Sequence, residues 1–300
     1  MTVQPQRHLD RFAIIIVLIL CVSWGFNQPT AKVALAEIPP LTQAALRSAG
    51  GVLVLGALAL WRENDLFKSD GTLRAGLLAG VLFALEFVGL YLGLQWTSAS
   101  HAVLFLYSAP FFVALGLMLM PQQQERLNRL QWGGLALAFI GVGLALRVSG
   151  EVSRDVLIGD VTCLAAGAAW GATTLVVKAS PLRSAAPIKT LLYQLGVSTP
   201  LLGLGAWLLG EQWPGHVSSV SMWSMIYQTF WVVCVTFLAW FWLVRHYRAG
   251  ELSAFTFLTP IFGVIAGWLV LDEQITPTFA AALACVAAGI AMVNWPTQKA

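Results

Sequence analysis

The sequence predicts an all-α integral membrane protein whose ten transmembrane helices form two inverted-topology repeats of five. Three observations carry this expectation. Of the 300 residues, 58% are hydrophobic and 10% charged, far more apolar than a water-soluble domain of this length. Apolar runs of about 20 residues, the length that crosses a hydrocarbon core, follow one another along the chain and leave no stretch for a soluble domain. Finally, Trp24-Gly25 with Lys32 returns as Trp170-Gly171 with Lys178, each lysine eight residues beyond its tryptophan and the copies 146 residues apart. The chain therefore divides into a first five-helix unit, 1–150, and a second, 151–300. An odd number of crossings threads the second unit oppositely, so the two face each other across an interface near the bilayer midplane.

Taken in order, spans are expected at about 12–35, 41–61, 73–95, 98–120, 129–148, 158–179, 188–210, 223–247, 251–271 and 276–295. The first carries Trp24-Gly25 and Pro29 and stops at Ile38-Pro39-Pro40. The second ends at Arg62-Glu63-Asn64-Asp65, and the third holds Glu86 and the glycine pairs Gly76/Gly80 and Gly89/Gly93. The fourth carries Pro110 and gives way to Pro121-Gln122-Gln123-Gln124-Glu125; the fifth follows Arg129. In the second half, Gly167/Gly171 mark the sixth span, which closes at Ser180-Pro181-Leu182-Arg183. The seventh and eighth carry Tyr193-Gln194 and Tyr227-Gln228. The ninth contains Pro260 and Gly263/Gly267 and ends at Asp272-Glu273, after which the tenth completes the set. Small residues one turn apart let helix backbones approach in lipid, so these glycines are expected to be packing faces.

Lysine and arginine in short loops set orientation. With a cytoplasmic N-terminus, the inner segments hold Arg7, Arg11, Arg62, Lys68, Arg74, Arg126, Arg129, Lys178, Arg183, Lys189, Arg245, Arg248 and Lys299, thirteen of the 17 basic residues. The outer side keeps Lys32, Arg147 and Arg154, and Arg47 lies within the second span. Both termini are expected in the cytoplasm. The first apolar run is longer than that of a cleaved leader and is expected to stay as a span. Cys21, Cys163, Cys234 and Cys285 are scattered in apolar runs without metal-ligand spacing, so neither metal nor cofactor is expected.

A second block supports the repeat. Ser98-Ala99-Ser100-His101 leads to Tyr107-Ser108-Ala109-Pro110 and on to Glu125; Leu252-Ser253-Ala254-Phe255 leads to Thr259-Pro260 and on to Glu273, with Pro-to-Glu spacings of 15 and 13. Together with the Trp-Gly pairs, these patterns resemble the drug/metabolite transporter superfamily, in particular its EamA-type exporters, over nearly the whole chain. Within it the chain looks most like the YddG-type exporters of aromatic amino acids. The resemblance implies a pseudosymmetric bundle around a central cavity, alternating access, export of a small-molecule substrate across the bacterial inner membrane, and work as a monomer in the lipid bilayer with no nucleic-acid partner. One departure is the longer connection at Pro121-Gln122-Gln123-Gln124.

Glu86 is the sharpest individual signal. It lies 9 residues from the outer end of its span, about 14 Å at ~1.5 Å per residue, well inside a core of ~30 Å. An ionisable group at that depth is functional by default or paired. Arg47, about 9 Å deep by the same rise, is its candidate partner in a structural ion pair; otherwise Glu86 is a proton or cation site coupled to transport, or a group that meets the amine of a substrate. Asn27 and Gln28 precede Pro29, which removes a backbone donor, so freed carbonyls and two amides are candidates to line a cavity. Thr173 and Thr174 occupy the matching positions of the second half. Lys178 and Lys32 either snorkel to the interface or meet a substrate carboxylate. Trp24, Tyr107, Trp170 and Trp231 lie deep enough to stack on a flat substrate, and Tyr193 and Gln228 add polar groups. Pro29, Pro110 and Pro260 are candidate hinges.

No phosphate-binding loop is present, which points to a secondary, ATP-independent transporter. A passive facilitator for the same solutes is the alternative. A membrane-embedded enzyme is disfavoured, because His8, His101, His216 and His246 are scattered and no Ser-centred nucleophile motif occurs.

Overall fold

In lipid, every backbone N–H and C=O must be paired within the protein, and a run of apolar residues meets that demand as a helix. The computed structural model describes residues 8–62, 70–119, 128–247, 252 and 255–293, and these fold as helices and short connections without a strand. Arg7, Lys68, Glu125, Arg126, Arg248, Trp295 and Lys299, together with Pro121-Gln122-Gln123-Gln124, lie outside the described residues.

The first half comprises α1 (Arg11–Leu35), α2 (Pro40–Arg62), α3 (Leu73–Trp96), α4 (Ala99–Leu106), α5 (Ala109–Met118) and α6 (Arg129–Val152). The second comprises α7 (Arg154–Ala179), α8 (Pro187–Leu208), α9 (Ser219–Ile226), a π-helical stretch (Tyr227–Thr236), α10 (Phe237–His246), α11 (Leu258–Leu271) and α12 (Pro277–Val293). Among the described residues, eight helical segments are long and apolar enough to cross a membrane, and α11 and α12 are shorter apolar helices. This is the ten-helix, two-repeat membrane fold. Helix starts are written in the sequence as capping residues: Asp10, Ser98, Ser153 and Ser218 each accept a backbone N–H from three residues on, at 2.8, 3.0, 3.1 and 3.3 Å.

Three features depart from the expected spans. The sixth and eighth begin four residues earlier than expected, at Arg154 and Ser219, because serine caps lie just ahead of them. The fourth is two helices, broken at Tyr107-Ser108, with Pro110 in the first turn of α5; Ser108 Oγ donates to the Phe105 carbonyl at 2.6 Å across the break. The eighth changes to i→i+5 bonding over Tyr227–Thr236, which widens the helix beside the bundle centre.

Glycines decide which helices touch. A Cβ at Gly25 of α1 would stand 2.7 Å from the Gly263 nitrogen of α11. A Cβ at Gly171 of α7 would stand 2.8 Å from Phe112 Cβ and 3.1 Å from the Ala109 carbonyl of α5. The glycine of each Trp-Gly pair is thus the point where the first helix of one half crosses the fourth helix of the other, backbone against backbone. On α3, Gly76 and Gly80 receive Tyr193 and Val197 of α8, while Gly89 and Gly93 receive Ala166 and Cys163 of α7. The glycine pairs are packing faces, as the spacing predicts.

Candidate functional site: a polar cluster inside the bundle

Polar side chains of α2, α3 and the eighth span meet a carbonyl of α1 where the two halves face each other. Gln43 and Arg47 are one turn apart on α2 and share a face. On α3, Phe83, Phe87 and Tyr91 form an aromatic ladder with ring centroids 4.7 and 5.9 Å apart, and Glu86 sits beside it. The Arg47 guanidinium lies over the Phe87 ring, 4.5 Å from its centroid. The π-helical stretch brings in Gln228, whose Oε1 accepts from Tyr91 Oη at 2.6 Å and from Gln43 Nε2 at 3.3 Å. Gln43 Nε2 also donates to the Ala31 carbonyl of α1 at 3.2 Å, which ties α1, α2, α3 and the eighth span together.

Arg47 is 3% exposed and Glu86 6% exposed, yet no direct ion pair joins these two described residues. They are neighbours through Phe87, which follows Glu86 on α3 and carries the Arg47 guanidinium over its ring. The protein leaves Arg47 Nε and Nη1, Glu86 Oε2, Asn27 Oδ1, Gln28 Oε1, Gln43 Oε1, Gln228 Nε2 and Thr259 Oγ1 unbonded. A buried unsatisfied group costs about 1–3 kcal/mol, and more when charged. Such groups are rare in native interiors, and several of them on the inner faces of one bundle call for an explanation.

One end of the bundle is closed over this cluster. Lys32 Nζ donates to the carbonyls of Leu94 and Thr97 at 2.6 Å each, so the cation caps the negative end of α3. Glu273 accepts from the backbone N–H groups of Ala99 and Ser100 at 2.6 and 2.9 Å and caps the positive end of α4. Asp160 accepts from Thr97 Oγ1 and lies 2.8 Å from His101 Nδ1, and the His101 ring stacks on Phe279 at 4.4 Å. At the same end Glu211 holds Leu41 N and Thr42 N at 3.0 and 2.7 Å, and Glu37 holds Ser218 N at 2.7 Å. These bonds from Ser218 and its neighbour Ser221 keep the Glu37 carboxyl below the usual carboxylate range.

The opposite end has a cleft of about 540 Å³ lined by Asp70, Thr72, Ser180, Arg183 and neighbours. Lys189 donates to Asp70 at 2.8 Å and, with Thr72, holds that carboxyl well below its ordinary range. Tyr193 Oη lies 3.2 Å from Thr72 Oγ1.

Of the residues singled out from sequence, Asn27, Gln28, Arg47, Glu86, Tyr107 and Gln228 are buried and belong to this cluster. Trp170 meets Tyr107 edge-on at 5.3 Å, and Thr173 and Thr174 bond back to carbonyls of their own helix. Trp24 Nε1 donates to Thr236 Oγ1 at 2.9 Å and packs on Trp240 at 5.5 Å. The structure does not bring in the remaining three. Lys178 is exposed at the end of α7, Tyr193 lies against Gly76 near the cleft, and Trp231 is 40% exposed on an outer groove, its indole N–H bonded to Ser23 Oγ. Pro29 sits within an unbroken α1, and Pro110 and Pro260 stand in the first turns of α5 and α11. Sequence reasoning missed Gln43, Tyr91 and Asp160, and had Glu273 as the end of a repeated block without its partners. Gln43 was findable as an amide one turn before a buried arginine; Tyr91 and Asp160 have no local pattern.

The model of the EamA-like transporter family matches residues 11–147 and again 157–295. The chain is 27% identical to the uncharacterized transporter YvbV of Bacillus subtilis, over 96% of this chain and 93% of that protein. It is 26% identical to a protein of Salmonella typhimurium described as a probable amino-acid metabolite efflux pump, over 92% of each. A solved crystal structure at 17% identity superposes with a TM-score of 0.67 over 95% of this chain and 96% of its own, which shows the shared fold.

Proposed function

The chain belongs to the EamA-like transporter family, and from that premise we propose that it is a secondary, ATP-independent exporter of amino acids, aromatic ones foremost, or related small metabolites. The substrate passes through the polar cluster by alternating access between the two faces of a bacterial inner membrane. The observation that carries this reading is the set of unbonded buried groups on α1, α2, α3 and the π-helical stretch, enclosed in lipid and closed at one end. Aromatic substrates are supported by the Phe83–Phe87–Tyr91 ladder and by the Tyr107–Trp170 pair. The efflux-pump relative supports amino acids and the outward direction. The bias of basic residues supports a cytoplasmic position for both termini and for the Asp70–Arg183 cleft, with the Lys32–Glu273 end outside. The units 1–150 and 151–300 act as the two rocking halves of one monomer.

The test is transport by the purified chain in proteoliposomes of known orientation, with phenylalanine, tyrosine, tryptophan, threonine and methionine as solutes. Accumulation that follows an imposed proton or cation gradient is expected. Flux that only equilibrates and ignores every gradient would make the protein a passive facilitator, and no flux of any amino acid would overturn the reading.

A further inference from the structure

The cluster holds one buried basic and one buried acidic side chain that neighbour each other without pairing. Arg47 makes no hydrogen bond to a described residue and rests on Phe87. Consecutive helical residues point about 100° apart at ~3.6 residues per turn, so a guanidinium seated on Phe87 stands beside the Glu86 carboxylate rather than on it. Both side chains are more than nine-tenths buried, and both present unbonded atoms. An isolated charge in such a place is costly unless something of opposite sign meets it. An anionic solute would serve Arg47 and worsen the surroundings of Glu86; a cationic solute would do the reverse. A solute with a carboxylate and an ammonium on one carbon serves both.

We infer that Arg47 and Glu86 form a divided receptor for a zwitterionic α-amino-acid head group, Arg47 taking the carboxylate and Glu86 the ammonium. The inference rests on the exporter reading above and adds to it which residue reads which charge. The amides of Gln43 and Gln228, each keeping one unbonded atom, stand by to complete the head group's hydrogen bonds. Tyr107, buried and edge-on to Trp170, gives the substrate side chain an aromatic wall. A planar guanidinium suits a carboxylate in a way that lysine does not.

The experiment measures binding to the purified full-length chain in detergent. The probes are L-phenylalanine, L-methionine and L-threonine, each beside its methyl ester, which lacks the carboxylate charge, and its N-acetyl derivative, which lacks the ammonium. On the wild-type chain, each modification is expected to weaken binding about 10- to 100-fold, the worth of a charge-assisted contact. R47Q is expected to bring the free amino acid down to the level of its ester while leaving the ester unchanged. E86Q is expected to do the same relative to the N-acetyl compound. The wild-type series stands even if a variant fails to fold. Esters that bind as well as the free amino acids, or an R47Q variant that weakens both alike, would overturn the inference and leave the exporter reading intact. No binding of any of the three free amino acids would overturn both.

Discussion

Lys32 shows how far a residue's role can lie from its sequence context. Read alone, it is a lysine near a helix end with a long stem that can reach the interface; in the fold it is tied to two peptide carbonyls of another helix. Hydrogen bonds to a charged group contribute about 1.5–3 kcal/mol each. Lys32→Met is therefore expected to loosen the closed end, and the readout is Cys163, which is fully buried beside Lys32 and Gly93. Maleimide labelling of Cys163, followed by mass spectrometry, should rise several-fold in the variant; unchanged labelling would mean the contact does not hold this end shut. Asp70 permits a pH prediction at the other end. Its carboxyl is held below the ordinary aspartate range, first by Lys189 and then by Thr72. The stabilisation is thus complete above the unfolded value of about 4 and is lost as pH falls through the lower folded value. Melting curves should show Asp70→Asn losing less stability than wild type on acidification below pH ~4. Glu86 and Arg47 were legible because a charge amid apolar residues is conspicuous. Glu273 was visible as the end of a span and of the Pro-to-Glu block, but its duty was not, because its partners are backbone groups 174 and 173 residues away.

At the scale of elements, the Trp-Gly pairs acquire a physical reason. Gly25 and Gly171 let the first helix of each half cross the fourth of the other with no side chain between them. Gly25→Ala and Gly171→Ala are expected to destabilise by about 1–3 kcal/mol through overpacking. At Gly56 and Gly143 an added Cβ meets nothing within 4 Å, so alanine there should stabilise slightly, by up to about 1 kcal/mol through helix propensity. Melting temperatures of the four variants check both signs. The repeat was legible as residue spacing, and the spans as apolar runs, since both follow from composition and period. The break at Tyr107-Ser108 was half legible, from Pro110. The π-helical stretch was not, because Tyr227–Thr236 reads as an ordinary apolar run and its wide turn is set by what packs around it.

For the whole molecule, the decisive property is the sense of threading. Arg183 and Gly215 are both exposed, at opposite ends of α8. With an impermeant maleimide on intact cells, Gly215→Cys is expected to react from outside and Arg183→Cys only after the membrane is opened; the reverse pattern would place the termini outside. What composition and spacing made legible at this scale was the bundle and its halving. The joint position of Gln43, Tyr91 and Gln228 depends on three helices converging, which no single stretch encodes.

The grip of Glu273 on the α3–α4 corner involves peptide nitrogens alone. The grip itself is indifferent to which side chain stands at Ala99 or Ser100, while the burial of both positions keeps them small. Proline is the exception, since it has no N–H to offer. At the first position of a helix proline is ordinarily harmless, yet Ala99→Pro is expected to lower the melting temperature in wild type and to cost far less once Glu273 is alanine and the acceptor is gone.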